Sequence, residues 1–264
     1  MSAPASAAAA LLLAVRRGAP RLAALPPQLA PATLPEAYAI QHELLRRSGS
    51  TRGGWKATLF DARNGICAPI PADALYDSPA RRAPGQLPTR APASADAPAL
   101  RVEPELAFRF GQPLPPLPAG REYTRGLVLA AVASVHPVLE LVTSRFADES
   151  AVTQLERVAD AFMNEALVIG AACTGWQALA LATLPLRVQV ADREPHRATG
   201  GHPVGDPVQP LVWIANHLSA LGIGLAAGEI VTTGSWAGAP ALAPGETAEA
   251  LFEGVGVVGF RYGD

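Results

Sequence analysis

The chain has 264 residues, 49% of them hydrophobic and 17% charged, with a formal net charge of −2. This much apolar material supports one large domain or a small domain joined to a larger one, and it excludes global disorder. The near-neutral balance leaves no basic footprint for nucleic acid or an anionic membrane, so neither is expected as a partner.

In chain order, AAAALLLAV at 7–15 looks like the core of a signal peptide, but Arg16 and Arg17 follow it and no positive charge precedes it. That is the reverse of a secretory signal, and the run is too short to span a bilayer. It predicts a helix over 5–17 and a cytoplasmic protein. A Pro-rich connection, 20–32, leads to a second helix over 33–48, with Pro35 in its first turn. Gly53 and Gly54 then precede a strand, WKATLF. Cys67 and Cys173 form no CxxC pattern, so no disulfide framework or zinc site follows, and a reducing compartment is expected. Residues 78–98, rich in Pro, Ala, Arg and Ser, are expected to be a surface loop and a boundary. It would separate an N-terminal α/β part, 1–77, from a β-rich catalytic domain, 78–264.

Strands are predicted over 100–110, 126–133 and 136–143, a helix over 151–166, and strands over 175–181 and 184–191. PVQPLVWIANHLSALG predicts an amphipathic helix, 207–221, closed by Gly222. EIVTTGS, TAEALFEG and VGVVGFRY are short strands between glycine turns. Strands with inserted helices, rather than a repeating βαβ pattern, predict an α+β fold.

The chemistry centres on RVEPELAFRF, 101–110, where alternation places Glu103, Glu105, Ala107 and Arg109 on one face and Val102, Leu106, Phe108 and Phe110 on the other. By itself this is an amphipathic strand with a polar outer face. Glu140 is different, because it has Val138 and Val142 on its own face and Leu139 and Leu141 on the other. Such a strand is buried on both sides, and an isolated carboxylate there would cost several kcal/mol (about 2–7 even for a neutral polar group). Glu140 must therefore be paired, protonated or bound to metal. Three carboxylates converging would suit Mg²⁺ or Mn²⁺; Arg109 or Arg145 supplying the pairing charge is the alternative.

Several pieces together carry a family resemblance: GGWKATL at 53–59, EPELAF at 103–108, PVLELVTSRF at 137–146, Asp160 leading to LVIG at 167–170, and the run from GHPVGDP through LAAGEIVTTGS to APGETAEALFEGVG. In this order the chain resembles the 2-keto-4-pentenoate hydratase and 4-oxalocrotonate decarboxylase group of the fumarylacetoacetate hydrolase superfamily, over roughly 35–262. The resemblance implies that fold's rolled multilayer sheet and a homo-oligomer. It also implies a metal-dependent lyase that adds water to a 2-hydroxy-dienoate in aromatic catabolism. The decarboxylase, a carbon–carbon bond hydrolase and a non-catalytic oxo-acid binder are the rivals.

Residue by residue, the resemblance places the metal ligands at Glu103, Glu105 and Glu140, the catalytic lysine at Lys56 and a water-activating acid at Asp77. It places substrate contacts at Ser235 and Asp160, and Asn164, one turn beyond Asp160, is expected to reach the space of the Asn missing from the group's Asp-Asn pair. The bland readings are a snorkelling Lys56, a turn-forming Asp77 and a turn-forming Ser235. His136, His202 and His217 are expected in core, turn or helix-surface roles. The chain departs from the group's pattern in three places. Lys56-Ala57-Thr58-Leu59-Phe60 stands for Lys-Ile-Gly-Leu-Thr, Asp160-Ala161 stands for Asp-Asn, and 60–71, expected to line the pocket, looks unlike its counterpart.

Overall fold

The computed structural model describes residues 2–61, 63–82, 86–87 and 99–263, so most of the expected boundary loop at 78–98 lies outside the described residues. Two helices open the fold, α1 (Ala3–Arg16) and α2 (Leu34–Ser48). The Ser2 hydroxyl accepts the amide of Ala5 and the Thr33 hydroxyl accepts that of Glu36, meeting donors that a helix start leaves unpaired. Gly49, at φ 82°, ends α2 in a left-handed conformation that glycine adopts without strain. The two helices pack on one another, and Ala8, Ala9 and Leu12 of α1 and Ala37, Ile40 and Leu44 of α2 are buried in the same core. Burial of each of the larger side chains contributes about 1.5–3 kcal/mol.

The remaining elements are β1 (Arg52–Leu59), β2 (Gly65–Pro71), β3 (Leu75–Asp77), β4 (Ala80–Arg82), β5 (Leu100–Phe110), α3 (Arg125–Ala131), β6 (Val132–Val142), α4 (Gln154–Ala159) and β7 (Asn164–Ile169). After these come β8 (Pro185–Val190), β9 (His196–Thr199), α5 (Val208–Ala220), β10 (Ile230–Thr232), β11 (Ala241–Leu242), β12 (Thr247–Phe252) and β13 (Gly256–Tyr262). One sheet runs β2-β1-β10-β5-β6-β7-β3, with β11 also on β5, and a second runs β4-β13-β12-β8-β9. Parallel pairs (β1 with β10, β3 with β7) are mixed with antiparallel ones, as the α+β expectation requires. Among the described residues no helix is long and apolar enough to cross a membrane.

Three expectations are corrected. Residues 125–131 form a helix, not a strand, because the Thr124 hydroxyl caps Leu127 and the Leu/Ala run buries Val128 and Ala131 one turn apart. The helix expected over 151–166 stops at Ala159, although it starts on a complete capping box between Thr153 and Glu156. Beyond it Ala161, Phe162 and Met163 are left-handed, at φ 52°, 48° and 64°, and β7 begins at Asn164. Residues 176–178 and 181–183 are short 3₁₀ turns instead of a strand.

The large sheet is buried on both faces. Trp55, Val102, Leu106, Phe108, Leu139, Leu141 and Val168 join the main core on one side. Ile70, Ala107, Val138, Leu167, Ile169 and Ile230 form a smaller cluster on the other. The acids of β5 therefore project toward the side of this second cluster, Glu105 buried and Glu103 partly exposed, and not onto an open outer face, which corrects the outer-face reading.

Candidate metal centre

Register brings the acids together. Glu103 is the direct cross-strand partner of Glu140, and Glu105 follows two residues on along the same face. Each of the three offers a carboxylate oxygen within 4.8 Å of the others. Lys56 arrives from the far side through β10, since Lys56 is in register with Thr232 and Thr232 with Ala107.

The proline between the two acids has a physical reason. Val102 donates its amide to Pro240 O, and Pro104 O accepts the amide of Trp236. The even-numbered residues thus turn their backbone groups toward the side where β10 has ended and β11 has not begun. The missing N–H of Pro104 faces that break in the ladder, where no strand needs it. The same break is filled by the 233–240 loop, whose Gly234 amide donates to Glu105 Oε2 at 2.8 Å.

Glu140 is fully buried. Its Oε1 takes the Lys56 ammonium at 2.6 Å and the Asn164 side-chain amide at 2.9 Å, while Oε2 has no hydrogen-bond partner. Lys56 Nζ also lies 3.9 Å from Glu103 Oε2 and donates to Phe162 O at 3.2 Å. Arg109 donates instead to Gly228 O, and Arg145 binds Asp160 and Glu165. The pairing charge next to Glu140 is therefore the lysine rather than either arginine expected as the alternative.

Burial pushes the Glu105 carboxyl well above the ordinary carboxylate range, with repulsion from Glu140 and Glu103 adding to it. Burial likewise raises Glu103 to about 7, against the pull of Lys56. For Lys56 burial acts to lower the pKa, but the carboxylates of Glu140, Glu103 and Glu105 outweigh it and the ammonium is held charged. Hard oxygen donors at this spacing, one of them a buried oxygen with an unmet lone pair, fit a hard divalent cation. With all three carboxylates ionised, as ligation would require, the cluster and its one ammonium carry two negative charges, which one such ion would neutralise.

A cavity of about 410 Å³ opens over Glu103 and Glu105, with Thr58, Phe162, Pro203, Ser235 and Trp236 in its wall. Glu103, with a side chain 23% exposed, and Glu105 line this space, whereas the fully buried Glu140 lies behind them, outside the wall. Among the described residues of 60–71 none is in the cavity wall, contrary to expectation; Phe60, Asp61, Arg63 and Asn64 lie at the end of the β1–β2 hairpin.

The structure places the other expected residues as follows. Ser235 reaches the wall, its hydroxyl donating to Gly238 O at 2.5 Å. Asn164 reaches the cluster as a donor to Glu140. Asp160 does not: its fully buried carboxylate accepts Arg145 N at 3.0 Å and Arg145 Nε at 2.5 Å, because that guanidinium needs a buried counter-charge. Asp77 is exposed and stands in the row Glu105–Val138–Ile169–Asp77. That is three strands away, roughly 14 Å along the sheet at ~4.8 Å per strand. His136 is bound in the core by Ser134 Oγ and Gly170 O. His217 stacks on Trp213. His202 accepts the Val204 amide at Nδ1, so Nε2 carries the proton given to Thr233 O, and the ring braces the glycine loop. Phe162 was missed, as was a plain signal in the composition: Lys56 is the one lysine among 21 Lys and Arg residues.

The family model for fumarylacetoacetate (FAA) hydrolase, C-terminal, matches residues 67–261. The chain is 32% identical to a 2-hydroxyhexa-2,4-dienoate hydratase of Comamonas testosteroni over 162 residues, 61% of this chain and 60% of that one. It is 31% identical to a 2-keto-4-pentenoate hydratase of Paraburkholderia xenovorans over 158 residues, 60% of this chain and 57% of the relative. The matches thus span about three fifths of these curated relatives. In fold it is similar to a 4-oxalocrotonate decarboxylase from Pseudomonas putida G7 solved with magnesium and adipate, with a TM-score of 0.82 and 21% identity, covering 98% of this chain and 97% of that one. The chain belongs to the fumarylacetoacetate hydrolase family.

Proposed function

We propose that this member of the fumarylacetoacetate hydrolase family is a lyase that adds water to a 2-hydroxy-dienoate or its 2-oxo-alkenoate tautomer. It would use Mg²⁺ or Mn²⁺ held by Glu103, Glu105 and Glu140. The observation that carries this reading is the meeting of three carboxylates and one charged lysine beside a cavity that two of the carboxylates, Glu103 and Glu105, line. The two hydratases to which the chain is similar support the choice of reaction.

When bound, a divalent cation supplies Lewis acidity toward the carboxylate and keto oxygens of a 2-oxo acid. The protein's own groups do the rest. Glu140 holds the Lys56 ammonium at the cluster, where it faces negative charge developing on a substrate oxygen and hands over or takes back a proton at Nζ. Asn164 fixes the Glu140 carboxylate so that Oε1 is committed and Oε2 remains for a ligand bond. The Gly234 amide does the same for Glu105. The Gly234–Ser235 turn forms the wall against which a substrate carboxylate would lie, and Thr58, Phe162 and Trp236 complete the lining of the cavity.

A second reading, decarboxylation of a 4-oxalocrotonate-like diacid, is favoured by the full-length fold match. One experiment separates the two: loss of dienoate ultraviolet absorbance is followed with Mg²⁺, with Mn²⁺ and with chelator while released CO₂ is measured. Chelator-sensitive loss without CO₂ supports the hydratase. Stoichiometric CO₂ supports the decarboxylase, and metal and oxo-acid binding with no turnover refutes both.

A further inference from the structure

Three consecutive non-glycine residues in the left-handed region, Ala161, Phe162 and Met163, are costly, at roughly 1–2 kcal/mol each. A bulky aromatic there is an outlier that the surrounding structure must over-determine. It does so through Asp160. Arg145 grips the Asp160 carboxylate through N and Nε and its carbonyl through Nη2 at 2.9 Å. That carbonyl also accepts the amide of Met163, and Met163 O accepts the amide of Thr143. A fully buried ion pair thus anchors the start of the turn, and the Thr143 amide anchors its end.

The turn presents two groups to the candidate centre, both from Phe162. Its carbonyl accepts Lys56 Nζ at 3.2 Å, and its ring lies 5.2 Å from the same nitrogen while forming part of the cavity wall. The ammonium is held on one side by Glu140 Oε1 and on the other by a carbonyl and an aromatic face. We propose that Phe162 is a positioning residue: the left-handed turn exists to aim its carbonyl and ring at Lys56, fixing the one lysine of the chain over the Glu140 carboxylate. The turnover part of this inference rests on the lyase reading; the lysine's confinement does not.

Because the chain has a single lysine, amine chemistry reads it directly. Metal-free protein is reductively methylated and the peptide containing Lys56 is followed by mass spectrometry, separately from the N-terminus. Wild type and Phe162→Tyr are expected to react at similar, slow rates. Phe162→Leu keeps the bulk and the carbonyl but loses the aromatic face, and is expected to react about tenfold faster. In a parallel sample treated with a maleimide, the buried thiol of Cys67 is expected to stay unlabelled, which shows that the protein has not opened globally. Rates for Phe162→Leu within twofold of wild type would overturn the proposal, whatever reaction the protein catalyses. In turnover, Phe162→Leu is expected to lower kcat about tenfold with KM changing less, and Phe162→Tyr to restore it. In a Lys56→Gln background the same Leu substitution is expected to change kcat less than twofold. An undiminished loss in that background would mean that the ring acts through packing alone, and would overturn the positioning role.

Discussion

Lys56→Met tests the electrostatic logic of the centre without requiring a substrate. The methionine keeps most of the volume of the lysine stem but removes the cation 2.6 Å from Glu140, whose side chain is fully buried. Removing one partner of a buried ion pair costs about 3–5 kcal/mol, since the other charge is left without compensation. Here the Asn164 amide still meets Glu140 Oε1, so the lower end, about 3 kcal/mol, is expected in metal-free protein. For a chain of this size that corresponds to a fall in Tm of roughly 6–12 °C by calorimetry. Mn²⁺ at a hundredfold excess over its dissociation constant stabilises a folded binder by about 2.7 kcal/mol. It also returns positive charge to the cluster, so the gap between variant and wild type is expected to narrow to below about 1 kcal/mol. A metal-free Tm within 2 °C of wild type (about 0.5–1 kcal/mol) would refute the reasoning. A gap that Mn²⁺ leaves unchanged would refute the location of the metal.

Other tests are simpler. Glu105→Gln is expected to abolish metal-dependent turnover while circular dichroism and the metal-free Tm show a folded chain; wild-type activity in that variant would contradict the ligand assignment. Burial pushes the Cys67 thiol up to about 12, so at pH 8 a maleimide should label half-buried Cys173 in the native protein and reach Cys67 only after denaturation. The Glu43 carboxyl is lowered to about 2, chiefly by hydrogen bonds from Arg46 and also from Arg47. A folded pKa below the unfolded one gives stability above about pH 4.5 that is lost as pH falls toward 2. The Tm difference between wild type and Glu43→Gln should therefore be full at pH 6 and shrink below pH 4.5; a difference that does not change with pH would refute the pairing.

Much of this architecture is legible in the sequence because it follows from short-range rules. Period-2 alternation in RVEPELAFRF and a charge flanked by Val138, Leu139, Leu141 and Val142 are enough to mark two strands, the second of them interior, and an acid in need of a partner. The partner itself is not legible, since Lys56 meets Glu140 only through β10, a strand of three residues lying between distant parts of the chain. The outer-face reading of Glu103 and Glu105 failed because alternation shows which residues share a face and says nothing of what covers it. The 151–166 helix failed at Asp160, where a tertiary ion pair with Arg145 overrides helix propensity and turns the chain left-handed. Asp77 fits its motif, yet register sets it three strands from Glu105. The solitary lysine, by contrast, was open to simple counting: in a chain that otherwise uses arginine, one compact and titratable ammonium points to a site that a planar guanidinium would not fit.

The interruption between β10 and β11 has a consequence for how proteins of this kind diversify. Among the described residues the only strand paired with β5 there is β6, and residues 233–240 cross the opening as a loop that meets β5 at Val102 and Pro104. Insertions or exchanged side chains in that segment would remodel the cavity mouth while the β5–β6 ladder and its acids stay in register. New substrate preferences can therefore arise at this seam without redesigning the scaffold.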